Sequence, residues 1–104
     1  MTTKRLCWLL AATFALSNAP LHAATFLVDS AKDGRDAAPG DGTCATAAGT
    51  CTLRAAIEEA NRLPSDDTIR LPGRTYVLTS GASLVILGTL DIVGASAATT
   101  IIDG

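Results

Sequence analysis

The sequence predicts a mainly-β chain with one short amphipathic helix ahead of its strands, and two observations carry that reading. Leu53, Ala56, Ile57 and Ala60 recur at i, i+3, i+4 and i+7, which places them on one face of a helix. Beyond Pro64 the pattern changes to short β-branched segments cut by glycine corners. That pattern fits a small all-β unit or the first coils of a solenoid.

The elements follow in order. Residues 25–28 alternate apolar and polar character and read as one opening strand. Residues 30–50 are rich in Gly, Ala, Asp and Thr, show no hydrophobic period and contain the turn cluster Pro39-Gly40-Asp41-Gly42, so they form a loop. Thr52 is placed to cap the helix, because its hydroxyl can accept a backbone N–H from the first turn. Leu53, Ala56, Ile57 and Ala60 form the core face, while Arg54, Glu58, Glu59 and Arg62 fall on the solvent side with Arg54 and Glu58 as an i,i+4 pair. Pro64 ends the helix. Strands are then expected at residues 68–71, 74–79, 84–87, 90–93 and from 99 to 102, with Leu71, Val77, Leu84, Ile86, Ile92 and Ile101 facing inward.

The first 23 residues read as an export leader. Lys4 and Arg5 precede a short apolar run at 6–16, Pro20 breaks it, and small residues follow at Ala23 and Ala24, so cleavage is placed after Ala23. The run is shorter than the ~20 residues that span a bilayer. Cleavage would remove the only histidine, His22, together with Trp8 and Cys7. The whole chain carries a formal charge of −2, and loss of Lys4 and Arg5 makes the remainder more acidic. A basic footprint for nucleic acid or anionic lipid is therefore missing from the sequence.

Two cysteines remain, Cys44 and Cys51, in a chain read as exported, and a disulfide is the favoured pairing. Closing so short a loop would stabilise by about 2–3 kcal/mol in the chain-entropy model. Two thiols without a histidine make an incomplete zinc shell, and the spacing is not that of a C-x-x-C redox centre. Asp29, Asp33, Asp36 and Asp41 cluster in the preceding loop. Turn formation is the ordinary role for such aspartates, with calcium as the alternative because it takes hard oxygen ligands. Without a histidine neither a Ser-His-Asp nor a Cys-His arrangement can be built. Glu58 and Glu59 are adjacent on a face read as exposed and do not suit paired-acid hydrolysis. These residues are expected to be non-catalytic.

The phrase Cys51-Thr52-Leu53-Arg54-Ala55-Ala56-Ile57-Glu58-Glu59-Ala60-Asn61, with Cys44 upstream in a Gly/Asp-rich loop, resembles the start of the CSLREA-domain proteins. These are secreted bacterial proteins in which the motif precedes a right-handed parallel β-helix of the pectin-lyase type. The family pattern has a glutamate at the position of Ala55, so the reciprocal half of a capping box is missing here. The resemblance implies the start of a right-handed parallel β-helix, with one short N-terminal capping α-helix. The spacing from Ile69 to Ile92 is close to one coil of such a fold. A small α+β domain with one helix packed on an antiparallel sheet is the runner-up. The chain then divides into a leader at 1–23, a capping region at 24–66 and the first coils at 67–104, truncated as in an N-terminal piece of a longer protein. The implied function is the non-catalytic cap of an exported cell-surface or extracellular protein of adhesin type. Its partners would be the remainder of a longer β-helix chain and surface glycans or host-cell molecules. The alternatives are the cap of a carbohydrate-active lyase or hydrolase, and a nonfunctional gene fragment.

Overall fold

The computed structural model describes residues 23–104, so the leader reading and Cys7 lie outside the described residues apart from Ala23. The order of elements is β1 (Thr25–Leu27), α1 (Leu53–Ala60), β2 (Asp67–Leu71), β3 (Thr75–Val77), β4 (Leu90–Gly94) and β5 (Ile101–Asp103). Strands β1, β2 and β4 form one parallel sheet in that order, and β3 pairs with β5 in a second parallel sheet. The register sets Phe26 beside Ile69 and Ile69 beside Ile92.

Alternation along β2 turns Asp67, Ile69 and Leu71 inward while Arg70 faces solvent. The helix starts where expected. Thr52 is extended, and its hydroxyl accepts the Ala55 N–H at 3.0 Å while donating to the Gly34 carbonyl at 2.6 Å. The buried side chains gather where the helix meets the first two strands. Phe26, Val28, Leu53, Ala56, Ile57, Ala60, Ile69, Leu71 and Tyr76 form a single cluster. The Tyr76 hydroxyl donates to the Pro72 carbonyl at 2.7 Å, and burial raises its pKa above the ordinary phenol value.

The expected β-helix start is not what the chain forms. The architecture is a small α+β domain whose short strands pair parallel in two small sheets, not antiparallel as the runner-up had it, and among the described residues no solenoid closes. The physical reason lies in the side chains expected to fill a coil. Leu71 is buried and Leu84 partly so, but Val77, Ile86, Ile92 and Ile101 are all exposed. Residues 84–87 make no strand. Their backbone is instead held by Asn61, whose side-chain amide donates to the Val85 carbonyl at 2.7 Å and accepts the Leu87 N–H at 2.9 Å. The core is thus built around a helix and one sheet rather than stacked inside a coil. No helix among the described residues is long and apolar enough to cross a membrane.

Candidate functional site

The polar chemistry of the chain is concentrated where the loop at 29–52 wraps the helix. A disulfide joins Cys44 to Cys51, with the two Cα atoms 5.1 Å apart. Gly49 lies inside the closed loop at φ +83°, a left-handed turn position that side chains rarely adopt. Asp29 clamps the far end of the staple. Its carboxylate accepts the Cys51 N–H at 2.8 Å, and its own N–H donates to the Cys51 carbonyl at 2.9 Å.

Asp33 and Arg54 form the most heavily partnered ion pair. Arg54 Nε lies 2.8 Å from Asp33 Oδ1 and Nη2 donates to Oδ2 at 3.2 Å, a two-point contact with both side chains almost fully buried. The remaining guanidinium donors reach the carbonyls of Ala82 and Ser83 at 2.8 and 3.2 Å. Asp33 Oδ2 also accepts the Thr79 and Ser80 N–H groups at 2.8 and 2.9 Å. The hydrogen bond from Arg54, aided by those two backbone donors and opposed by burial, holds the Asp33 carboxyl down to about 2.

A second group lies at the other end of the helix. Asp36, Asp41 and Glu59 bring one carboxylate oxygen each to within 4.8 Å of one another. Glu59 is fully buried, and its two oxygens accept the Gly40 N–H, each at 3.0 Å, with a third bond from Gly42 at 2.7 Å. Both glycines have positive φ, which turns these N–H groups toward the carboxylate. Asp36 accepts Ala45 N–H and Ala38 N–H on its two oxygens and donates its own N–H to Glu58 at 2.8 Å. Burial, with the charges of Asp36 and Asp41 adding to it, pushes Glu59 above the ordinary carboxyl range against the pull of the two glycine N–H groups.

The four aspartates read from sequence as a calcium alternative are therefore dispersed. Asp29 holds Cys51, Asp33 holds Arg54, and only Asp36 and Asp41 come together. Calcium takes 6–8 oxygens, whereas both oxygens of Asp36 and of Glu59 already accept backbone N–H groups. Two helix residues lie on a different side from the one the polarity pattern predicts. Arg54 and Glu59 are buried, not solvated, and Glu58 pairs with Arg35 at 3.5 Å rather than with Arg54. The signal for Glu59 was the Gly40-Asp41-Gly42 turn, a pair of N–H donors with no strand to satisfy them.

Hollows in the surface offer little chemistry. One of about 220 Å³ lies beside the helix and is lined by Arg35, Arg54, Ile57, Glu58, Asn61 and Leu84, its charges already paired. Another of about 350 Å³ lies between β4 and β5 against Leu71, Ile92, Gly94, Thr100 and Ile102 and contains no titratable side chain. Comparison of the chain with protein-family models, with curated proteins and with solved structures returns no match.

Proposed function

We propose that this chain is a non-catalytic, disulfide-stapled region of an exported cell-surface or extracellular protein. The observation that carries the reading is the use made of its buried charges. Asp33, Arg54, Asp36 and Glu59 direct their polar atoms at one another or at backbone groups of neighbouring loops. Acid–base catalysis needs a group aimed at a reacting atom in a cleft, and paired-acid hydrolysis needs two carboxyls facing across one. Glu58 and Glu59 diverge instead, one toward Arg35 and the Asp36 N–H, the other into the glycine turn. The Cys44–Cys51 bond suits an oxidising compartment, and the basic and apolar pattern of residues 4–16 suits export to one.

The test is a fusion of the full chain to an alkaline phosphatase stripped of its own leader, an enzyme that is active only after export. The fusion is expected to be active outside the cytoplasm of a Gram-negative host, and Lys4→Glu with Arg5→Glu is expected to abolish that activity. An inactive fusion retained in the cytoplasm would overturn the reading.

A further inference from the structure

We infer that Asp67 is the receptor for a processed amino terminus at Ala24, an inference that rests on the export reading proposed above. Asp67 opens β2 with its side chain turned inward and is 2 % exposed. Its Oδ1 accepts two hydrogen bonds, from the Ala24 N–H at 2.9 Å and from the Ser65 hydroxyl at 3.2 Å. Its Oδ2 is buried and has no partner. A buried carboxylate oxygen without a donor is uncommon and calls for an explanation.

The geometry at Ala24 supplies one. The Thr68 N–H donates to the Ala24 carbonyl at 2.9 Å, and the parallel ladder continues with Thr25 beside Thr68. Ala24 is thus fixed beside Asp67 at both ends, its N–H on the carboxylate and its C=O on the Thr68 N–H. As an internal residue, Ala24 offers one N–H, which Oδ1 already takes. Hydrolysis of the Ala23–Ala24 bond by an export endopeptidase adds one water across the peptide. Ala23 leaves as a carboxylate and Ala24 keeps an amine that carries the released proton. The resulting ammonium has three N–H donors and a positive charge. One donor keeps the bond to Oδ1 and a second is free to reach Oδ2, giving a charge-assisted contact in place of the orphaned oxygen. Cleavage after Ala23 therefore completes the site rather than merely removing a leader.

The experiment uses the full chain expressed with its leader in an exporting bacterium. Intact mass identifies the first residue. The purified protein is then acetylated at pH 7 with N-hydroxysuccinimidyl acetate and the two amines are followed by peptide mass spectrometry. After loss of Lys4 these are Ala24 and Lys32, and exposed Lys32 is the internal reference. Ala24 is expected to react about tenfold more slowly than the same amine in the peptide Ala-Thr-Phe-Leu-Val, the factor that a one-unit rise in amine basicity gives. Asp67→Asn should restore the peptide rate at Ala24 and leave Lys32 unchanged. The comparison of unmodified protein with peptide decides the matter even if that variant does not fold. A chain that begins at Ala24 but acetylates there at the peptide rate overturns the pairing alone. A first residue other than Ala24 overturns the cleavage reading and the pairing with it.

Discussion

At the scale of single residues, Asp33 and Arg54 link three stretches that are distant in sequence: the loop, the helix start and the segment from 79 to 83. Because the folded Asp33 carboxyl is held near 2 against an ordinary 3.8, it stabilises the folded chain above pH 4. That stability is lost as pH falls from about 4 through 2, and the shift corresponds to roughly 2 kcal/mol. Chemical denaturation across this range should show the loss in the native chain, and Asp33→Asn should flatten it. An unchanged acid limb in Asp33→Asn would show that the pair does not carry the linkage. Arg54 and Glu59 escaped the sequence reading because a helical wheel assigns sides by polarity, whereas here loops with donors and acceptors close over the polar side and bury it. The Thr52 cap was legible because it depends on local spacing alone.

The secondary elements divide in the same way. The helix and β2 could be read because their periods, 3.6 and 2, are written in five to eight consecutive residues. The run at 84–87 is apolar and β-branched, yet it pairs with the Asn61 side chain and not with a strand. Composition does not reveal that, since the partner is set by tertiary placement. The helix face itself gives a direct test. Ile57 is buried in the core cluster, whereas Glu58 is half-exposed and bonded to Asp36 N–H. Ile57→Asp places an unpaired charge in that cluster and should cost on the order of 3 kcal/mol or more. Glu58→Ala should cost about 1 kcal/mol. Urea midpoints of the two variants measure the difference, and equal losses would show that the face is misassigned.

For the whole molecule, the chain order Cys-loop, helix, then glycine-cut strands suggested a coil that the structure does not close. A solenoid is stabilised by neighbouring coils that cover inward residues. Here the buried core comes from the inward residues of β1, β2, β3 and the helix, while Ile92 and Val93 of β4 and Ile101 and Ile102 of β5 remain exposed. What the sequence conveyed was the cysteine pair and the kind and order of the elements, apart from the expected strand at 84–87. It could not convey which loops would lie against the helix, because those contacts join residues 17 to 29 positions apart through backbone groups that every sequence shares. The proposal that this is a disulfide-stapled region of an exported protein stands or falls on the count of reactive thiols. The full chain is expressed in an exporting bacterium, denatured without reductant, alkylated and weighed intact. No alkylated cysteine is expected, since Cys44 and Cys51 are joined and cleavage after Ala23 would remove Cys7. One alkylated thiol would mean that the leader is retained, and three would mean that the chain never reached an oxidising compartment. Either would contradict it.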